Sequence, residues 1–196
     1  MNLSADTIRD WPKCSRYLQN LATTLDAKVK NAYLDACKAD VQRQPVRIAE
    51  RIALEGLKYA THPLVKPQTR QKLDLVDAEI CGFQVFMGAA NEVWVYDFLF
   101  DAAEYCAESA KARCFERLEA IVLHEIVHWA RQRARATDLV IDGSTPIEAG
   151  TYFETLAYGR RHCSTVDHSD SAFSILPSGE QKMVDRKRRE AAAAPR

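Results

Sequence analysis

The sequence lacks several features that would place it in a broad class of proteins. No run of residues approaches the roughly 18 apolar positions that a membrane-spanning helix needs, and the N-terminus has no basic segment followed by an apolar one. The formal net charge is zero, because 27 Lys and Arg residues balance 27 Asp and Glu residues. We therefore expect no membrane span, no signal peptide and no nucleic-acid partner.

The cysteines also lack the close spacing that a metal clip or a thiol redox site requires. No CxxC pair occurs among the six cysteines, which are Cys14, Cys37, Cys81, Cys106, Cys114 and Cys163. Buried free thiols are the simplest interpretation of this scatter. Disulfides are the alternative if the protein works in an oxidising compartment.

The apolar content is high enough for one hydrophobic core. Hydrophobic residues make up 47% of the 196 positions, which predicts a single domain over residues 1–175 and a charged tail over 176–196. We predict an α+β fold that is predominantly helical. Apolar residues at helical spacing predict helices within residues 1–67, where His62 to Pro67 forms a connector.

The sequence between residues 80 and 100 has a different character. β-Branched and aromatic residues flank a GAAN segment that suits a turn, and this pattern predicts a β-hairpin. The alternative is that the segment from Tyr96 onward already begins the next helix. Residues 102–135 contain no glycine or proline and predict one long helix or two abutting ones.

A further helix is predicted downstream of a turn. Gly143 and Pro146 interrupt the helical pattern, and Thr145 to Glu148 has the form of a capping box that opens a helix over residues 146–161. In a capping box the first side chain and the glutamate three positions later each accept a hydrogen bond from the other residue's backbone N–H. This interpretation would occupy Glu148 at the start of the helix.

The motif HExxH lies inside the predicted helix 102–135. In IVLHEIVHWAR, residues 121–131, His124 and His128 are one helical turn apart and project from one face. Two imidazoles in this geometry can bind one zinc ion, and Glu125 lies beside them, where it can deprotonate a zinc-bound water. Two core histidines hydrogen-bonded to carbonyls are the alternative, but imidazoles and a carboxylate are costly to bury without a partner.

A catalytic zinc site needs a third protein ligand and an open fourth position. The downstream candidates are Asp138, Asp142, Glu148, Glu154, His162 and His168. Glu148 opens a helix that would fold back toward the metal, and Glu154 is the ligand if Glu148 serves the capping box. If Glu148 binds the metal, Glu154 would instead hold an imidazole N–H. Asp138 and Asp142 would need a much tighter return of the chain.

The motif resembles the signature helix of the zincin metallopeptidases, and EAG at residues 148–150 is similar to the gluzincin arrangement, in which a glutamate on the following helix completes the zinc site. HEIVHWAR followed by EAGTYFETLAYG resembles small bacterial metallopeptidase toxin domains, including those carried by VgrG-type spike proteins of type VI secretion. The sequence departs from related patterns at two points. The glycine and third histidine of metzincins do not follow His128, and Ile147 stands where gluzincins often have asparagine.

The resemblance implies an architecture and a mechanism. In zincins a strand edge above the site helix pairs with the substrate backbone, and the predicted hairpin at 80–100 is placed to do this. Zinc would polarise the scissile carbonyl while Glu125 moves a proton from the attacking water to the leaving amine. The candidates for a further donor to the oxyanion are Tyr152, Tyr158 and His162.

The sequence thus predicts a zinc-dependent endopeptidase that binds one Zn²⁺ ion and acts on protein or peptide substrates as a bacterial toxin. The resemblance to toxin domains implies synthesis in the bacterial cytoplasm, delivery into a target cell by a secretion-machine carrier, and a cognate immunity protein. A housekeeping protease and a hydrolase of another bond are alternatives. A non-catalytic helical binding module with a structural zinc is a further alternative, in which Cys163 would supply the fourth ligand.

Overall fold

The structure, a computed structural model, describes residues 2–41, 45–57, 64–68, 82–84 and 92–162. The helices in these ranges are α1 (Ala5–Asp10), α2 (Pro12–Thr24), α3 (Ala27–Lys38), α4 (Val46–Leu57), α5 (Asp97–Tyr105), α6 (Lys111–Arg133) and α7 (Ala149–Tyr158). The strands are β1 (Asn2–Leu3), β2 (Leu64–Gln68), β3 (Gly82–Gln84), β4 (Glu92–Tyr96), β5 (Leu139–Asp142) and β6 (Thr145–Glu148). The prediction of a predominantly helical α+β fold is confirmed. None of the described helices combines the length and the apolar character that crossing a membrane requires.

The N-terminal helices begin where the sequence supplies caps. The Ser4 hydroxyl accepts a hydrogen bond of 3.1 Å from the Thr7 amide, and the Asp26 carboxylate accepts one of 2.8 Å from the Lys28 amide. Pro12 stands in the first turn of α2, where its missing N–H costs no helical hydrogen bond. Each of α2, α3 and α4 then buries an apolar side in the core.

A four-stranded sheet has the order β1-β2-β4-β3. β1, β2 and β4 run parallel, whereas β3 is antiparallel to β4. Both β3 and β4 contact α6, which places this pair beside the helix that carries HExxH.

The prediction of helices and a connector over residues 1–67 is corrected by β1 and β2. These short strands gain their hydrogen bonds from distant parts of the chain, so the local pattern does not reveal them.

α6 lies at the centre of the fold. It contacts α3, α4, α5 and α7 as well as the sheet. Its side chains Ile121, Val122 and Leu123 are at most 1% exposed, and burying each contributes about 1.5–3 kcal/mol. Gly56 allows α4 to approach closely, because a Cβ at this position would lie 2.9 Å from Ile126 Cγ2. The helix with the two histidines is therefore held on several sides.

Several predicted boundaries need correction. The predicted hairpin ends at Tyr96, because Asp97 begins α5, as the alternative interpretation had it. The predicted helix 102–135 is divided between α5 and α6 by a 3₁₀ turn over Glu108–Ala110. The predicted tail, residues 176–196, lies outside the described residues.

The predicted helix over residues 146–161 begins later, at Ala149. Residues 145–148 form β6 instead, which pairs antiparallel with β5 through a turn at Gly143. Pro146 is tolerated in this two-stranded hairpin because a strand edge does not require its N–H. Thr145 therefore opens no capping box.

Candidate metal centre

Two histidine rings of α6 lie side by side. The ring centroids of His124 and His128 are 5.0 Å apart and the ring planes are inclined by 60°. The helix produces this arrangement because residues four apart lie on the same face. Both rings direct Nε2 toward the carboxylate of Glu148, at 3.6 Å for His124 and 2.6 Å for His128.

Glu148 lies where β6 ends and α7 begins. The β5–β6 hairpin carries the chain back after α6 and pairs Glu148 with Leu139. The carboxylate caps α7, since Oε1 accepts a hydrogen bond of 2.6 Å from the Gly150 amide and Oε2 one of 2.7 Å from the Thr151 amide. Glu148 is thus the N-cap residue itself, and capping leaves both oxygens facing the histidines.

Three side chains in the described part of the chain could hold one metal ion. The ligand atoms of His124, His128 and Glu148 all lie within 4.8 Å of one another. Two imidazole nitrogens with one carboxylate oxygen form a donor set found in catalytic zinc sites. Such a set leaves a coordination position for water or substrate.

The opposite nitrogen of each histidine contacts another carboxylate. His124 Nδ1 lies 2.6 Å from Glu154 Oε1, and His128 Nδ1 lies 3.1 Å from Asp138 Oδ1. An ionised carboxylate can only accept, so each Nδ1 donates its proton and each Nε2 faces Glu148. Two nitrogen lone pairs and a carboxylate directed at one point repel one another unless a proton or a metal cation lies between them. These contacts therefore fit a metal ion bound at Nε2.

The carboxylates around the centre favour positive charge. Burial alone would lower the pKa of His128, but Asp138 and Glu148 raise it to about 10. Burial is the largest influence on His124 and opposes its charged form, but the hydrogen bond with Glu154 and the charges of Glu125, Glu148 and Glu154 together outweigh it, so that this pKa is raised as well. Glu148 remains ionised, because the two histidines outweigh the effect of burial and hold its pKa well below the ordinary value. The surroundings of the two rings thus favour a positive charge, carried either by a proton or by a bound cation.

Glu125 follows His124 on α6 and is only 5% exposed. Burial raises the pKa of its carboxyl, while the charges of His124 and His128 act in the opposite direction. The net shift is upward. A buried carboxylate with a raised pKa is suited to accept a proton and to donate it again.

Glu154 lies in the interior, with a side chain that is 2% exposed. One of its oxygens contacts His124 Nδ1 and the other accepts a hydrogen bond from the backbone N–H of His162. Glu154 is therefore directed at the nitrogen opposite the one that faces Glu148. Gly150 makes this approach of α7 possible, because a Cβ there would lie 2.5 Å from Cγ and Nε2 of the His124 ring.

The candidate donors to an oxyanion lie in different surroundings. The Tyr158 hydroxyl donates a hydrogen bond of 2.9 Å to Glu119, which also accepts one from Tyr17. His162 is 3% exposed, and its Nε2 has no hydrogen-bond partner. Tyr152 is partly buried on α7, where burial and neighbouring aspartates raise its pKa. The structure thus assigns the Tyr158 hydroxyl to Glu119.

The remaining candidates for a third ligand are placed as follows. Asp138 precedes β5 and contacts Nδ1 of His128, not the nitrogen that faces Glu148. Asp142 lies at the exposed end of β5. His168 and Cys163 lie outside the described residues.

Sequence reasoning missed the role of the β5–β6 hairpin and of Gly150. A usable signal was present, because a Gly-Ser dipeptide between two β-rich segments is typical of a two-residue hairpin. Gly143 and Ser144 form such a connection and bring the start of β5 opposite Glu148. The contact of Gly150 with His124 has no comparable local signal, since it joins two helices.

The chain is similar to a known protein family. A protein-family model described as metallopeptidase toxin 3 matches residues 7–159. No curated protein and no solved structure matches the chain significantly. The matched segment covers more than half of the 196 residues and runs from α1 to the end of α7.

Proposed function

Because the chain belongs to the metallopeptidase toxin 3 family, we propose that it is a zinc-dependent endopeptidase that acts as a toxin in a target cell. The proposed zinc ligands are His124, His128 and Glu148. Glu125 is the proposed general base, and Glu154 orients His124 without binding the ion. This is the gluzincin arrangement that the sequence resembles.

One observation supports this ligand set most strongly. Both histidines have a carboxylate at Nδ1, while both Nε2 atoms converge on Glu148. Metal-binding histidines almost always donate their other N–H to a carboxylate, a carbonyl or water, which fixes the tautomer and makes the ligand more basic. A pair of core histidines without a metal would not require carboxylates on both sides of each ring.

Zinc is proposed because the donor set mixes nitrogen and oxygen. Imidazole nitrogens suit Zn²⁺, whereas Mg²⁺ and Ca²⁺ prefer oxygen ligands. When bound, the ion supplies Lewis acidity, which polarises a peptide carbonyl and lowers the pKa of a water molecule. Three protein ligands are consistent with a catalytic site rather than a closed structural one.

Glu125 carries the proton in the proposed reaction. Its carboxylate takes a proton from the attacking water and then gives it to the nitrogen of the leaving amine, so that the peptide C–N bond breaks and Glu125 is regenerated. The Nδ1 protons of His124 and His128 stay on the rings and are held in hydrogen bonds to Glu154 and Asp138. The Nε2 lone pairs therefore remain directed at the reaction centre.

The four-stranded sheet offers a position for the substrate backbone. Among the described strands, β3 is the last in the sheet order; it is antiparallel to β4 and contacts α6. An extended peptide that adds to this edge would lie beside the helix that carries Glu125. We therefore propose that protein substrates bind as an added strand.

Two substitutions test the proposed chemistry. Glu125→Gln should keep stoichiometric zinc and lose peptidase activity on an unfolded protein by about 10²–10⁴-fold, because the proton carrier is removed. His124→Ala should lose zinc as well as activity, as measured by metal analysis of the purified proteins. Glu116→Gln is the matched control, since it changes a partly exposed glutamate on the same helix. Zinc-free wild-type protein, or full activity of Glu125→Gln, would refute the proposal.

We also propose a route of delivery. The family description supports a toxin, and the likeness to domains on VgrG-type spike proteins supports transfer by a secretion-machine carrier, with an immunity protein protecting the producing cell. Expression of the wild-type chain in a bacterial cytoplasm should arrest growth, whereas Glu125→Gln should be tolerated. Equal toxicity of the two proteins would separate the toxicity from peptide hydrolysis.

A further inference from the structure

Arg131 is a buried cation near the end of α6, three residues after His128, and it is 0% exposed. Its guanidinium donates hydrogen bonds to four backbone carbonyls. From Nη1 the bonds reach Ala36 and Ala39 near the end of α3, both at 2.7 Å. From Nε and Nη2 the bonds reach Thr137 at 2.8 Å and Leu139 at 3.2 Å.

The last two carbonyls belong to the residues on either side of Asp138. Asp138 is held at a third point, because its own carbonyl accepts a hydrogen bond of 2.8 Å from the Ala149 amide. The backbone at Asp138 is thus fixed by α6 on one side and by the start of α7 on the other. Its side chain remains 40% exposed and lies 3.1 Å from His128 Nδ1.

We infer that Asp138 is a positioning residue that sets the orientation and the tautomer of His128, and that Arg131 fixes the backbone of Asp138 for this purpose. The inference rests on the proposed function, because it assigns a role in metal binding. The structure supports it because two of the Arg131 hydrogen bonds reach the carbonyls of the residues on either side of Asp138.

Anchoring of the backbone limits how far Asp138 can move. A half-exposed aspartate on a mobile loop would lose side-chain and backbone entropy each time it contacted the imidazole. With the backbone anchored at Thr137, Leu139 and Ala149, only the rotation of the short Asp138 side chain remains free. The contact with His128 is therefore pre-organised, and its N–H stays on Nδ1.

Burial of Arg131 is costly in itself, and burial lowers its pKa. A side chain needed only to end α6 would not have to be charged. The planar guanidinium is suited to this position because it spreads several donors in a fixed geometry, which a lysine ammonium does not. This explains why an arginine, and not another long side chain, occupies the place.

The test is a measurement of zinc affinity that does not depend on activity. Asp138→Ala should raise the zinc dissociation constant by about 10–100-fold, measured by competition with a chelator, while the melting temperature of the metal-free protein changes little. Asp138→Asn should restore part of the affinity, because the amide oxygen still accepts from Nδ1. Asp142→Ala, at the exposed end of the same strand, is the matched control and should bind zinc like the wild type.

Arg131→Lys tests the second half of the inference. Its zinc affinity should also fall. In protein that already carries Arg131→Lys, Asp138→Ala should weaken zinc binding by a much smaller factor than it does in the wild type, because the two residues act on the same histidine. If Arg131→Lys does not fold, ¹⁵N NMR of labelled histidine decides. It should show a hydrogen-bonded Nδ1–H of His128 in zinc-bound wild type, and faster exchange of that proton with solvent in zinc-bound Asp138→Ala.

The outcomes separate this inference from the proposed function. Unchanged zinc affinity and unchanged exchange of the His128 Nδ1 proton in Asp138→Ala would overturn the positioning role while leaving the zinc site intact. Additive losses in the double variant would overturn the role of Arg131. Wild-type protein that binds no zinc would overturn the proposed function and this inference together.

Discussion

His124 and His128 both donate from Nδ1 to a carboxylate, but the two carboxylates lie in opposite surroundings. At the inner end of the metal centre, defined here as His124 and Glu154, the acid has a side chain that is 2% exposed. At the outer end, defined as His128 and Asp138, the acid has a side chain that is 40% exposed. Two similar contacts are therefore maintained by different forces.

The inner end relies on packing. The Glu154 side chain reaches from α7 to His124 on α6 in the close-packed interior, where it has little room to turn away. The outer end lies beside a hairpin whose Leu139 and Ile141 side chains are 49% and 53% exposed, so packing cannot fix it. Hydrogen bonds from the Arg131 guanidinium and the Ala149 amide to backbone carbonyls anchor it instead. Burial and backbone anchoring can thus achieve the same orientation, but they respond differently to substitution.

Removal of Glu154 should have the largest effect on stability. Glu154→Ala should lower the free energy of unfolding by about 3 kcal/mol, because His124 Nδ1–H and the His162 amide lose a buried acceptor. Asp138→Ala should cost less than about 1 kcal/mol, because solvent screens this partly exposed pair. Denaturant unfolding of the metal-free proteins measures both values. Equal losses would show that the two ends do not differ in the way proposed.

A methyl group at the inner end tests the role of packing directly. Gly150→Ala should cost about 1–3 kcal/mol and weaken zinc binding, because the new Cβ collides with the His124 ring. Gly143→Ala is the matched control near the outer end, where a Cβ meets nothing within 4 Å and only the positive φ of 63° causes strain. It should lose some stability and keep its zinc affinity. Wild-type zinc affinity in Gly150→Ala would contradict the proposed close approach.

A small effect is expected at the His162 ring. Its backbone N–H donates a hydrogen bond to Glu154, whereas its ring Nε2 has no hydrogen-bond partner. Burial lowers the pKa of the ring. His162→Phe should therefore change the free energy of unfolding by less than about 1.5 kcal/mol and leave peptidase activity close to wild type. A loss of about 10²-fold in kcat would instead identify the ring as a donor to the oxyanion.

The arrangement of the two histidines could be predicted because it is a local property. A spacing of four residues within an apolar run places His124 and His128 on one face of a buried helix whatever surrounds it. Their carboxylate partners are not a local property: the sequence offered Glu154 as the acceptor of an imidazole N–H only as one of two alternatives, and it gave no such role to Asp138. The contacts with Asp138 and Glu154 join residues 10 and 30 positions apart, and they depend on how the hairpin and α7 return to α6.

The missed strands have two different physical causes. β1 and β2 pair Asn2 with Leu64, so neither strand is visible without knowledge of its distant partner. The β5–β6 hairpin has a signal in the sequence, but Pro146 there also indicates the start of a helix. Proline suits both the first turn of a helix and an edge strand, and the Gly-Ser turn decides between them.

Glu148 caps α7 with the same carboxylate that faces the two histidines. Such a cap is worth about 1 kcal/mol to a helix. Occupancy of the centre and formation of the first turn of α7 are therefore thermodynamically linked, because a cation that holds the carboxylate also holds the cap. Hydrogen exchange at the Gly150 and Thr151 amides would report metal loading without any substrate.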